Sequence, residues 1–194
     1  MPTTAIRPPR ADAVRNRERV IAAARKVMAH KGLDAQMDEI ARGAKVGVGT
    51  VYRHFPTKDA LVEALAGDRF ERLAELAREA LERDEPWGAF CDFMRAAARI
   101  QTEDLALSEV LVSRPETMAR AAEAVGILDL TAEIMRRAQK SGELRPDADP
   151  TDVPMMMCAL AGTCRNPKMN PERYIGIVLD GLRAPGAIPL PRPG

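Results

Sequence analysis

Apolar residues recur at three- and four-residue spacings along most of the chain, the period of amphipathic helices. Val20, Ile21, Ala24, Val27 and Met28 form one such stripe and predict a first helix over about 13–31, with Gly32 placed to end it as a left-handed cap. Met37, Ile40, Ala41 and Ala44 then share one face of a short helix. Lys45-Val46-Gly47 interrupts the pattern. A second short helix follows over about 48–54, with Val51 and Phe55 on its inner side and Pro56 where it must stop. Two helices of this length across a tight turn make a helix-turn-helix, whose second helix enters the DNA major groove.

Downstream the same period continues. Thr57 is the expected N-cap of a long fourth helix over about 57–84, lined by Leu61, Val62, Leu65, Phe70, Leu73, Leu76 and Ala80, with Gly67 a candidate bend. That helix begins at the helix-turn-helix and runs into the body of the chain, so it is the natural mechanical link. Pro86 opens a fifth helix in which Trp87, Phe90, Phe93 and Met94 cluster. Leu105, Leu107, Val110, Leu111 and Val112 predict a sixth before Pro115, and a long seventh is expected over about 116–139. Residues 150–165 are apolar on nearly every side but too short to span a bilayer, which needs about 20 residues. Such a helix is buried all round, which in a small domain calls for a partner subunit. The last helix, over about 171–183, carries the stripe Tyr174, Ile175, Val178, Leu179 and Leu182.

The fold class expected is therefore all-α, with about nine helices. A proline-bearing arm (1–12) precedes a helix-turn-helix domain (13–56), a C-terminal helical domain (57–184) and a proline-rich tail (185–194); arm and tail are expected to be disordered. Composition agrees: hydrophobic residues make up 46% of the chain but aromatics only 4%, so the core must be built from Leu, Ala, Val, Ile and Met. Charge adds an asymmetry. Residues 1–56 carry 11 Lys/Arg against 5 Asp/Glu, a balance of +6, while the remainder, with 18 against 23, balances at −5. A basic head on an acidic body fits nucleic-acid binding at one end only. Arg7 and Arg10 in the arm are open to two readings, contact with DNA or simple solubility. Arg15, Arg17 and Arg19 are candidate phosphate contacts, though such charges on a helix are more often a solvated face.

Helical geometry, at roughly 100° per residue, says which side chains of the second short helix face outward. Opposite Val51 lie Gly49 and Arg53, flanked by Thr50 and Tyr52; that face holds no acid. Thr50 and Tyr52 suit phosphate oxygens, Gly49 permits close approach, and Arg53 can pair with guanine or with phosphate. Lys58 is within reach of the backbone.

An apolar helix ending in Gly32, Ile40-Ala41, Val46, the run Gly49-Thr50-Val51-Tyr52, then His54-Phe55 and Lys58 make a specific pattern. Over about residues 13–62 it resembles the DNA-binding domain of the TetR family of bacterial transcriptional regulators. The resemblance implies a DNA-contacting set of Lys45, Gly47, Val48, Gly49, Thr50, Tyr52, Arg53, His54 and Lys58. It implies a homodimer formed through the last two long helices, here Met155, Leu160, Tyr174, Ile175, Val178, Leu179 and Leu182. It also implies a small-molecule effector pocket in the C-terminal body. The apolar cluster nominates Trp87, Phe90, Phe93 and Met94 for its walls, with Met118, Met135 and Met156. One position departs from the family: Lys45 stands where glycine is usual, and a left-handed backbone there costs a lysine ~1 kcal/mol.

Other chemistry finds little support. Cys91, Cys158 and Cys164 are odd in number and widely spaced, which argues for a reducing cytoplasm; inert packing is favoured over redox sensing. The two histidines, His30 and His54, both lie in the DNA-binding half, and no nucleophile elbow, zinc signature or phosphate loop is present. The expected protein is thus a cytoplasmic, dimeric, ligand-responsive regulator, a repressor released from a palindromic operator by a small molecule. No catalytic residue, metal, cofactor or membrane partner is expected. A redox-responsive regulator and a ligand-independent DNA-binding protein are the alternatives, and an enzyme is the least favoured reading.

Overall fold

In the computed structural model, residues 9–103, 105–164, 166, 168–185 and 188–191 are described. Ten α-helices and one short 3-10 turn account for most of them: α1 Pro9–Lys31, α2 Met37–Ala44, α3 Val48–His54, α4 Lys58–Leu81, α5 Pro86–Glu103, α6 Leu105–Val112, α7 Pro115–Val125, α8 Ile127–Lys140, α9 Asp152–Thr163 and α10 Pro171–Leu182. Among the described residues there is no strand, only an isolated bridge between Leu144 and Arg183. The chain divides into two compact units, Met1–Leu65 and Ala66–Gly194, and the division falls inside α4 rather than at Pro56. Leu61, Val62 and Leu65 are fully buried, which explains why the first turns of α4 belong with the N-terminal unit.

In that unit, α1 packs against α2 and α3 through Val20, Ala24, Met28, Ile40, Ala41 and Val51. Gly43 suits a close approach of α1 and α2: a Cβ on it would lie 3.3 Å from the Cβ of Ala23, a tight contact. Local signals set the ends. Gly32 has φ +55° after the last residue of α1. Thr57 Oγ1 accepts from the Ala60 N–H at 3.0 Å and caps α4. The arm expected over 1–12 is helical from Pro9 onward; residues 1–8 lie outside the described residues.

The C-terminal unit is organised around α5, whose Ala89, Phe90, Phe93, Met94 and Ala97 are buried and which packs against α8, α9 and α10. α4 runs on without a break through Gly67. The single helix expected over 116–139 is instead two. Gly126, with φ +65° and ψ +30°, takes a left-handed conformation that stops α7 and starts α8. Asn170 caps α10 by accepting from the N–H groups of Glu172 and Arg173, and Pro171 occupies the first helical position. Beyond α10 the chain is held by a clasp. Buried Arg145 pairs with Asp147 through Nε–Oδ1 at 2.6 Å and Nη2–Oδ2 at 2.9 Å, and donates to the carbonyls of Gly181 and Ile188. The Leu190 N–H in turn donates to Asp147 Oδ2 at 2.8 Å. The tail expected to be free is therefore tethered at Ile188 and Leu190, while residues 186, 187 and 192–194 lie outside the described residues.

Candidate nucleic-acid interface and ligand cavity

α2 ends in a Schellman turn: the Val46 N–H donates to the Ala41 carbonyl and the Lys45 N–H to that of Arg42, both at 3.1 Å. This places Lys45 at φ 55°, ψ 45°, the left-handed conformation usually given to glycine, and it is the one non-glycine residue with positive φ among those described. The turn is supported from α1, where Arg19 Nη2 donates to the Lys45 carbonyl at 3.1 Å. Gly47, extended at φ −67° and ψ 146°, then starts α3.

Val51 (0% exposed) and Phe55 (3%) anchor α3 inward. The opposite face carries exposed Val48, Gly49, Tyr52 and Arg53, with Thr50 and His54 half-buried beside them. Lys45 and Gly47 are exposed on the turn, and Lys58 is half-buried at the first position of α4. The structure thus brings eight of the nine expected DNA contacts onto one turn and one helix, and sets the ninth at the start of the next. A Cβ at Gly49 would meet nothing within 4 Å, so no packing within the protein calls for a glycine there. The same holds for Gly67, Gly162, Gly176 and Gly181 in other helices. Three arginines of α1 have partners within the chain: Arg15 pairs with Asp12, Arg17 lies 5.5 Å from the ring centroid of Phe55, and Arg19 holds the turn.

The C-terminal unit contains a cavity of about 270 Å³ walled by α4, α5, α7, α8 and α9. Phe70, Leu73, Phe93, Ala97, Met118, Ala122, Ile127, Val153 and Met157 make its apolar wall, and exposed Ala119, Leu128, Pro154 and Cys158 its rim. Arg69, Gln101 and Thr131 are its polar groups. Of the seven residues expected to wall a pocket, Phe93 and Met118 line this one. Phe90, Met94 and Met135 are packed solid in the core, and Met156 packs against it. Trp87 lies over Phe90, ring centroids 5.8 Å apart, with the Arg183 guanidinium 5.6 Å from its ring. Trp87, Phe90, Met94, Met135 and Met156 are thus not among the lining residues of this cavity and lie in or against the core. Arg69 stands between Leu65 and Leu73 on α4 and is 7% exposed.

Leu160, Ile175, Leu179 and Leu182, expected at a subunit interface, are instead buried in this chain's own core, and Tyr174 and Val178 are half-buried against it. The stripe of α10 finds its partner within the protomer. The outer faces of α9 and α10 are left with Met155 and Ile177, each 64% exposed, among the small residues Ala159, Gly162 and Gly181. Burial pushes the thiols of Cys91 and Cys164 up from their ordinary pKa, away from the reactive thiolate. No helix among the described residues is long and apolar enough to cross a membrane.

Residues 20–65 match the profile of bacterial regulatory proteins, tetR family, and residues 85–184 that of the C-terminal domain of SbtR-like transcriptional regulators. A crystal structure of a TetR transcription regulatory protein from Mycobacterium vanbaalenii is 40% identical, covering 91% of this chain and 100% of that one, with a TM-score of 0.67. The transcriptional repressor KstR of Mycolicibacterium smegmatis is 31% identical over 137 residues, 68% of this chain and 66% of its own. The transcriptional regulator UidR of Escherichia coli K12 is 29% identical over 141 residues, 68% and 70% of the two chains.

Proposed function

The chain belongs to the TetR family of bacterial regulatory proteins, and from that premise we propose that it is a homodimeric repressor released from a near-palindromic operator by a small molecule. The observation that carries the DNA-binding half of this reading is the exposed face of α3 behind the turn at Lys45, which holds no acid and has Gly49 on it. Around it stand groups suited to nucleic acid: Tyr52 and Thr50 for phosphate oxygens, Arg53 for a base edge or phosphate, and Lys45 and Lys58 for the flanking backbone. The outer faces of α9 and α10 supply the apolar surface for a second copy. Two heads set roughly 34–36 Å apart reach successive major grooves.

The cavity supports ligand control. α4 is one unbroken helix that carries Leu61 and Leu65 in the N-terminal unit and contributes Arg69, Phe70 and Leu73 to the cavity wall. A ligand that displaces this helix changes the spacing of the heads, and a thousandfold change in operator affinity requires only about 4 kcal/mol of coupling. The redox alternative is weakened by the raised thiols of Cys91 and Cys164. The test is selection of binding sites from random duplex DNA with the full-length chain. Enrichment of one near-palindromic sequence is expected; recovery of unrelated sequences at equal affinity overturns the reading.

A further inference from the structure

The polar side chains of the cavity wall are already engaged by the protein, and we infer that the cavity takes an uncharged, compact, apolar molecule of about one ring with a short substituent. This rests on the ligand-responsive reading above and names the class of its ligand.

The polar groups come first. Apart from the thiol of Cys158 on the rim, those among the described lining residues are Arg69, Gln101 and Thr131. Arg69 is 7% exposed and tied into the fold. Its Nη1 donates to the buried Ser108 hydroxyl at 3.0 Å, and its Nη2 donates to the Ile100 carbonyl at 3.4 Å and to the Gln101 side-chain oxygen. The Ser108 hydroxyl donates in turn to the Gln101 main-chain carbonyl at 2.9 Å. These bonds knit α4, α5 and α6 into one network. On the far wall the Thr131 hydroxyl donates to the Ile127 carbonyl at 2.8 Å. Among the described residues no buried side-chain nitrogen or oxygen lacks a hydrogen-bond partner.

A charged ligand therefore fares badly here. An ion that enters an apolar cavity gives up its hydration, and burial repays this only where the wall supplies new partners. An anion would have to take Arg69 from the groups that hold it. A cation would find no Asp or Glu among the described lining residues. A hydrocarbon breaks none of these bonds and gains from the apolar area that it removes from water.

Volume and wall chemistry set the size. An apolar cavity of about 150 Å³ accommodates benzene. At about 270 Å³ this one suits a ring with a short substituent. Phe70 and Phe93 offer aromatic surface, while Met118 and Met157, unbranched and polarizable, can follow the outline of a ring.

Isothermal titration calorimetry on the full-length chain tests this with toluene, ethylbenzene and propylbenzene, and with two ions of matched shape, 3-phenylpropanoate and 3-phenylpropylammonium. Affinity is expected to rise about fourfold with each added methylene. Propylbenzene is expected to bind about tenfold or more tightly than either ion. Ala122→Phe, which fills the cavity, should abolish binding. Should that variant fail to fold, NMR of the wild-type chain labelled at its methionine methyl groups locates the probe instead. Propylbenzene should shift the signals of Met118 and Met157 and leave in place those of Met28 and Met37, which are buried in the N-terminal unit. No binding of any hydrocarbon, an ion that binds as tightly as propylbenzene, binding that survives in folded Ala122→Phe, or Met118 and Met157 signals that stay in place overturns the inference. DNA binding is read separately. Hydrocarbons that bind with the expected preference yet leave DNA affinity unchanged support the assignment of the cavity while overturning ligand release.

Discussion

Arg19 of α1 donates from Nη2 to the main-chain carbonyl of Lys45, 3.1 Å away, and so clamps the turn between α2 and α3 from outside. The clamp acts on a left-handed lysine. Lys45→Gly relieves ~1 kcal/mol of strain, offset in part by the greater freedom of glycine in the unfolded chain. Melting temperature should hold or rise. DNA affinity should fall, with the salt dependence shallower by about one phosphate contact per protomer. A drop in melting temperature would show that the turn is not strained. Arg19→Met keeps the aliphatic stem but removes the donor, and should cost up to about 1 kcal/mol in denaturant unfolding.

Gly49→Ala separates folding from binding. A Cβ there meets open space, so the change should stabilise the isolated protein by up to about 1 kcal/mol. Operator affinity should fall nonetheless, because the added methyl group stands between α3 and the groove. Fluorescence anisotropy showing undiminished affinity would remove Gly49 from the interface.

Operator affinity should fall steeply with salt. Four to six phosphates neutralised per protomer give a dimer a log–log slope of about −7 to −11. Tyr52→Phe should weaken binding to all sequences, whereas Arg53→Ala should change base preference. An unchanged preferred sequence would make Arg53 a phosphate contact only.

Ile177→Asp and Met155→Asp should yield folded monomers by sedimentation, with helix content kept and operator binding lost, because both side chains point out of the protomer. Leu179→Asp should behave differently and unfold the C-terminal unit, since Leu179 is 5% exposed within its own core. Dimers that survive both surface changes would move the interface off α9 and α10.

The Arg145–Asp147 clasp should make stability acid-sensitive. The Arg145 guanidinium, then the Leu190 N–H, hold the Asp147 carboxyl well below the usual carboxylate range. A pKa lower in the folded than in the unfolded chain stabilises above the unfolded value, about 3.9, and that contribution is lost as pH falls toward the folded one. The difference in melting temperature between wild type and Asp147→Asn should therefore be flat from about pH 5 to 8 and shrink below about pH 4. A difference that persists undiminished at pH 3 would show that the ion pair is not its source.

What could be read from the sequence was local. Gly32, Thr57 and Pro86 announce where helices begin and end because each acts on backbone within one turn of itself. The helix-turn-helix was legible for the same reason: its turn, its inner anchors Val51 and Phe55 and its outward face all lie within some twenty consecutive residues. The break at Gly126 was not legible because the apolar period runs on across it, and only the left-handed backbone that it adopts in the fold makes it visible. The destination of an apolar stripe was beyond reach. Periodicity says that Phe90, Met94 and Ile175 leave water, but not whether they meet their own chain, a second copy or an empty space. Long-range packing decided that. It sent the α10 stripe and the aromatic cluster into the core, left Met155 and Ile177 outside, and gathered Arg69, Gln101 and Phe93 from separate helices around one cavity, because the energy of burial depends on area removed from water and not on which partner removes it.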